Sequence, residues 1–379
     1  NATTGADVII TGETAGDNFS YGIATGDLNA DARTDLVIGG TSYSGTTGRA
    51  YVFYNDGSIP TTAATADAII TGEAAGDGLG ITLSTGDLNA DGKTDLIVGA
   101  SGYSSSTGRA YIFYNGSITT ENASGADVVI TGEASSSLGN NATGDLNADG
   151  RTDLVLRGGG VQRIYIFYND GSIPTTAATA DVIIDGEASS NLGFALTTGD
   201  LNADGRTDLV AGAYSYSSSA GRVYVFYNDG SYPTTAVTAD VIITGDSTNR
   251  FGWVLETGDF NTDGRVDLVT SADLGNKAYI FYSQNGVLNT NRDITGEATS
   301  NYFGYRITSG DLNADGKTDL AVGAYGHSTA TGRTYIFYND GSISTTAASA
   351  DVIITGETTS NNFGLSLATG DLNADGETD

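Results

Sequence analysis

Cysteine and methionine are missing from this chain of 379 residues, proline occurs three times and histidine once. Without cysteine there is no disulfide, no thiol nucleophile and no thiolate metal site. A single histidine offers too little nitrogen ligation for zinc. The missing initiator methionine points to a processed chain or a fragment. Basic residues are scarce, 16 Lys and Arg against 46 Asp and Glu, for a net charge of −30. That balance excludes nonspecific nucleic-acid binding, which needs basic patches. No apolar run is long enough to span a membrane, and no signal peptide is visible.

What is present is repetition. The 54 glycines recur at fixed places, so they are not linker. A nine-residue acidic loop begins at Asp27, Asp87, Asp145, Asp200, Asp259, Asp311 and Asp371, at spacings of 60, 58, 55, 59, 52 and 60 residues. A period this long implies one supersecondary unit per repeat. Residues 181–228 read as one unit: DVIIDGE, the alternating LGFALTTGD, the loop DLNADGRTD, the apolar TDLVAGA, a polar loop, and GRVYVFYNDG. No segment has helical periodicity. Four antiparallel strands repeated seven times predict an all-β, seven-bladed β-propeller, a single domain over residues 1–379, with an open β-solenoid as the alternative. The third unit (LGNNATGD) and the fifth, with Ser271 and Ala272 in place of Gly-Ala, depart from the pattern. The seventh stops at its own loop, so the N-terminal ADVIITGE is expected to pair into a last blade left incomplete. A fragment, or completion by another chain, would account for that.

The loop has the chemistry of a cation site. Its first, third, fifth and ninth residues are Asp27, Asn29, Asp31 and Asp35, then Asp87, Asn89, Asp91 and Asp95, then Asp145, Asn147, Asp149 and Asp153. They are Asp200, Asn202, Asp204 and Asp208 in the fourth loop, and Asp259, Asn261, Asp263 and Asp267 in the fifth. The last two loops carry Asp311, Asn313, Asp315 and Asp319, and Asp371, Asn373, Asp375 and Asp379. The seventh residue offers a backbone carbonyl: Arg33, Lys93, Arg151, Arg206, Arg265, Lys317 or Glu377. All these donors are oxygen, which suits Ca²⁺ better than Mg²⁺ or a softer ion. The Asp positions account for 21 of the 46 acidic residues, and clustered carboxylates repel unless a cation neutralises them. Up to seven Ca²⁺ are expected, which would bring the net charge to about −16. Glycine at the sixth position permits a sharp turn; Ala32 replaces it in the first loop, where strain is expected to weaken binding.

The order FG…TGDLNADG.TDL.VGA…GR.Y.F resembles the FG-GAP repeat of integrin α-subunit propellers and of bacterial extracellular proteins. Phe251-Gly252, Phe303-Gly304 and Phe363-Gly364 carry the first element, with Leu-Gly variants at 79, 138 and 192 and a departure at Phe19-Ser20. Gly99-Ala100, Gly212-Ala213 and Gly323-Ala324 carry the second, without its proline. The resemblance covers essentially the whole chain. It implies a seven-bladed propeller with Ca²⁺ between the first and second strands of each blade, an extracellular or cell-surface location, and partners on the opposite face.

No nucleophile–base pair, phosphate loop or oxidoreductase fingerprint is legible, and His327 stands alone on a loop, so catalysis within the chain is not expected. Tyr43, Tyr103, Tyr214, Tyr216 and Tyr325, on polar loops after the second strands, are candidates for contacting a glycan or protein. They are expected near Glu13, Glu73, Glu133, Glu187, Asp246, Glu297 and Glu357. Sequons occur at Asn1, Asn18, Asn115, Asn122 and Asn141. The functional expectation is an adhesion or ligand-recognition module. The alternatives are a surface or filament subunit that assembles with itself head to tail, and an accessory domain of a secreted hydrolase.

Overall fold

A computed structural model describes residues 5–116, 118–284 and 286–379; the sequon at Asn1 lies outside them. Contacts divide the chain into two compact units. The first comprises Val8–Asp185 with Gly370–Glu377 and Asp379, and the second is built on Gly186–Thr369.

The first unit has three antiparallel blades. Blade 1 runs Phe19–Gly26, Asp35–Gly40, Arg49–Phe53 and Ala68–Thr71 from inner to outer strand. Blade 2 runs Thr82–Gly86, Asp95–Ala100, Arg109–Phe113 and Val128–Thr131, and blade 3 Leu138–Gly144, Asp153–Gly158, Arg163–Phe167 and Val182–Asp185. The second unit has three more: blade 4 is Leu196–Gly199, Asp208–Ala213, Arg222–Phe226 and Val241–Thr244. Blade 5 is Leu255–Gly258, Asp267–Ala272, Lys277–Gln284 and Val287–Thr295, and blade 6 is Arg306–Gly310, Asp319–Ala324, Arg333–Phe337 and Val352–Thr355.

The expectation of seven blades is therefore overturned: among the described residues there are six sheets, each a β-propeller blade of four antiparallel strands, the first extended by a parallel two-residue strand, Glu121–Asn122. The seventh repeat closes its loop, with Gly370 N and Asp379 N each donating to the other's carbonyl, but no sheet forms around it. The N-terminal ADVIITGE does not complete it. Thr11 makes a parallel bridge to Thr62, the contact that Thr131 makes to Thr176 and Thr295 to Thr346, and residues 7–10 join no ladder. A blade is held by its two central strands, and these two segments supply neither.

The central strands show why. The second strand is buried along all six residues in five of the blades, so it reads as a continuous apolar run rather than an alternation. Its Leu faces the Phe of the third strand in every blade, as in Leu96↔Phe113 and Leu209↔Phe226. Phe53, Phe113, Phe167, Phe226 and Phe337 are fully buried, and each contributes about 1.5–3 kcal/mol by leaving water.

Paired glycines let neighbouring blades touch. A Cβ on Gly39 would lie 2.1 Å from the Gly80 carbonyl, and one on Gly212 would lie 2.2 Å from the Gly252 carbonyl. The glycine of the Gly-Ala element thus receives the backbone of the next blade's Phe-Gly element. Gly212→Ala is expected to cost several kcal/mol, about 1–3 from overpacking alone, read as a lowered urea midpoint.

Candidate metal loops and the face opposite them

Each acidic loop turns its polar side chains onto its own backbone. In the first, Asp27 accepts from the amides of Asp31 and residue 32, Asn29 from that of Asp31, and Asp31 from that of Arg33. Asp27 Oδ1 and Asn29 Oδ1 lie 3.1 and 3.0 Å from one nitrogen, so they converge. The shared amide recurs at Asp91, Asp149, Asp204, Asp263, Asp315 and Asp375. The fourth and sixth residues are left-handed in every copy, from Ala30 (φ 59°) and Ala32 (φ 67°) to Ala374 (φ 60°) and Gly376 (φ 89°). Seven sequences thus give one backbone conformation and one set of inward-turned oxygens. Among the described residues, no three carboxylate or imidazole side chains form a ready cluster at metal-binding separation. The donor set is that of a hard cation.

Left-handed backbone costs a residue with a Cβ roughly 1–2 kcal/mol. Ala32→Gly removes that at the one sixth position lacking glycine, against roughly 0.5–1 kcal/mol of extra unfolded-state entropy. A small net gain in stability is expected, with tighter cation binding at the first loop; titration of the variant against the parent checks it.

The ninth residue does something the spacing did not reveal. Asp35, Asp95, Asp153, Asp208, Asp267 and Asp319 are fully buried. In each, one oxygen accepts from the amide of the loop's second residue, as Leu88 N to Asp95 at 2.8 Å. The other accepts from an amide just beyond the third strand, as Asn115 N to Asp95 at 2.9 Å, or in blade 5 from Ser283 N near the end of that strand. The carboxylate therefore ties loop to blade. Burial first, then the other loop carboxylates, push Asp95, Asp153, Asp208 and Asp267 up to about 6. Backbone donors oppose that shift without cancelling it.

The opposite ends of the strands carry a second repeated device. Arg49, opening the third strand of blade 1, meets Glu13 at 2.6 Å, and the Tyr51 hydroxyl donates to the same carboxylate at 3.0 Å. Arg109 with Glu73 and Tyr111, Arg163 with Glu133 and Tyr165, and Arg222 with Glu187 and Tyr224 repeat it. This accounts for four of the loop glutamates. The candidate ligand tyrosines divide accordingly. Tyr43, Tyr103 and Tyr216 lie over Arg49, Arg109 and Arg222 at 3.6, 3.8 and 3.6 Å, as lids on the network. Tyr214 and Tyr325 instead join other aromatic rings. His327 takes the corresponding tyrosine place in blade 6, 3.4 Å from Glu297, and burial followed by Arg333 holds its imidazole below the ordinary value. Three sequon amides are built into the fold: Asn115 donates to Asp27 O, Asn122 to Gly72 O, and the Nδ2 of the half-buried Asn141 is out of contact with water.

Four-stranded antiparallel blades, each led by an acidic loop between its first two strands, define an all-β protein of the β-propeller class. The chain carries FG-GAP repeats: that family matches residues 79–113, 192–226 and 303–337. These are blades 2, 4 and 6, the three that keep both the Leu/Phe-Gly and the Gly-Ala glycines. The chain is similar to phosphatidylinositol-glycan-specific phospholipase D of Homo sapiens, 34% identical over 156 residues covering 36% of this chain and 19% of that protein. It is similar to integrin alpha-PS2 of Drosophila melanogaster, 30% identical over 255 residues, covering 60% and 17%. Integrin alpha-6 of Gallus gallus is 32% identical over 165 residues, covering 39% and 15%. The chain thus spans less than a fifth of the length of these relatives. No helix among the described residues is long and apolar enough to cross a membrane.

Proposed function

We propose that the chain is a calcium-binding recognition module of the cell exterior, each acidic loop holding one Ca²⁺, up to seven in all. The observation that carries this reading is one oxygen donor set repeated seven times on one backbone conformation. The first, third and fifth residues would supply side-chain oxygens, the seventh a backbone carbonyl, and the ninth its remaining lone pairs. Calcium would supply the positive charge that the clustered carboxylates lack. Recognition of an extracellular protein or glycan is then the work of the face remote from the loops, and the similarity to integrin α subunits supports it. Calorimetric titration of Ca²⁺ into protein stripped with EDTA and then freed of the chelator tests the metal half. Saturable uptake of several Ca²⁺ per chain is expected; no heat from protein shown to be folded would sink it.

A second reading, an accessory domain of a secreted hydrolase, is favoured by the match to a phospholipase. A reading frame encoding no hydrolase fold on either side of these residues would remove it.

A further inference from the structure

Blades 4 to 6 present a ring cluster for which blades 1 to 3 have no counterpart among the described residues. Trp253 lies 4.4 Å from Phe194, 4.9 Å from Tyr214 and 5.4 Å from Tyr305, and Tyr305 lies 4.5 Å from Tyr325. Tyr302 stacks on Tyr325 at 5.0 Å with the planes 11° apart. Apart from the largely buried Trp253, these rings are half-buried. Phe194, Trp253 and Tyr305 follow the Leu/Phe-Gly element, where the first unit has Tyr21, Ile81 and Asn140. Tyr214 and Tyr325 follow Gly-Ala, where it has Thr41, Ser101 and Gly159. The first unit forms the same blades without these rings, so blade folding does not require them.

Backbone strain marks the same place. The residue before each Leu/Phe-Gly element is left-handed in every blade. It is Asn18, Gly78, Ser137 and Asn191 in the first four, residue types that tolerate or tend to adopt that conformation. In blades 5 and 6 it is Arg250 (φ 64°) and Tyr302 (φ 54°), which bear the full steric cost. Gly326 leaves the room: a Cβ there would lie 2.6 Å from the Tyr302 ring. Large side chains are held at strained positions beside the cluster and nowhere else in this column.

Two cations border the rings in a chain of net charge −30. Arg250 lies over Trp253 at 4.9 Å and is neutralised by the buried Asp273 at 3.3 Å. Arg306 lies over Tyr305 at 5.0 Å and, among the described residues, forms no ion pair. The Trp253 Nε1–H already donates to Tyr305 O. The cluster therefore offers the half-buried rings of Tyr302, Tyr305 and Tyr325 and one unneutralised guanidinium, whose Nη1 also donates to Tyr305 O at 3.1 Å. Ring faces suit the C–H face of a pyranose, and a guanidinium fork suits a carboxylate.

The geometry points to a binding site for acidic glycans, with a hexuronic-acid ring packed on the half-buried Tyr305 and Tyr325 beside Trp253 and its carboxylate on Arg306. This names the ligand class within the recognition reading above and rests on it. The test uses the full chain loaded with calcium. Trp253 is the single tryptophan, so its fluorescence reports the site alone. The probes are a glucuronate-containing oligosaccharide, its carboxyl-reduced neutral counterpart, and poly-glutamate. A saturable change is expected with the first, weakened at least about tenfold by carboxyl reduction, by Arg306→Ala and by Tyr305→Ala, and unmoved by Tyr21→Ala on blade 1. Circular dichroism confirms that each variant is folded. Equal response to the neutral sugar or to poly-glutamate, or full binding by the Arg306 and Tyr305 variants, overturns the proposal. So does silence to all three probes; if calcium uptake is intact, that silence refutes the glycan site alone, whereas absent uptake refutes the reading beneath it.

Discussion

Removing calcium at pH 7 is expected to lower the melting temperature by more than about 10 °C, and acidification to about pH 5 to recover part of that loss. A ligand bound only to the folded state stabilises it by about 2.7 kcal/mol when held at a hundredfold its dissociation constant, and several loops act together. In a chain of this size about 1 kcal/mol moves the midpoint by a few degrees at most, so several filled loops are needed for the stated shift. The pH dependence follows from the ninth-position carboxylates. Asp95, Asp153, Asp208 and Asp267 are pushed up to about 6 in the folded protein, against 3.8 as the ordinary value. The folded state therefore holds their protons more tightly than the unfolded state. Their contribution is fully present below about pH 4 and is lost as pH rises through about 6. The metal-free protein should melt progressively lower from pH 4 to pH 7, while calcium flattens that slope by giving the ionised loops a counter-charge. Calorimetric scans with EDTA and with calcium at pH 4.5, 6 and 7.5 read both effects. Melting unaffected by verified calcium removal would refute a stabilising role for the loops.

A second titrating group is independent of the metal. Glu256, on the inner strand of blade 5 where the other blades place Ala, Ser or Thr, is raised to about 7 by burial, with Ser309 Oγ donating to it at 2.8 Å in opposition. The same sign applies: its ionisation destabilises the fold above about pH 7. Glu256→Gln should be more stable than the parent at pH 8 and no better at pH 5, as urea midpoints at the two pH values would reveal.

The blade strands and loops were legible because their signals are local and repeated. TDL, Y.F and the acidic register recur, and each copy corroborates the others. The number of blades was not, because a loop closes on eight or nine residues of its own, whereas a sheet needs central strands from further along the chain. The second function of the ninth aspartate was hidden for the same reason. Its partner amide lies 16 or 20 residues downstream, and a backbone amide has no sequence signature. Tyr43, Tyr103 and Tyr216 were legible as exposed aromatics, but the arginines beneath them were not, since Arg49, Arg109 and Arg222 read as strand ends. For the ring cluster the missed signal was comparative: read down the repeats, the residue after Leu/Phe-Gly turns aromatic in three successive blades.

Asp208→Ala separates the two roles of the ninth aspartate. If it were only a metal ligand, the variant and the parent would have equal stability in EDTA. The structure gives it a second task, accepting from Leu201 N at 2.9 Å and Asn228 N at 2.8 Å, both in buried surroundings. Removing the carboxylate strands two amides away from water, at about 1–3 kcal/mol each. Relief of an unfavourable buried charge at pH 7 offsets part of that. A net loss of about 2–4 kcal/mol is expected in EDTA, read as a lower urea midpoint at unchanged slope. Trp253 lies in the same unit and serves as the probe. Asp208→Asn keeps one acceptor and discards the charge, so it should lose less than the alanine variant, and its deficit should widen when calcium is added because the parent alone gains a full ligand set. Equal midpoints for Asp208→Ala and the parent without metal would leave the aspartate as a ligand and nothing more.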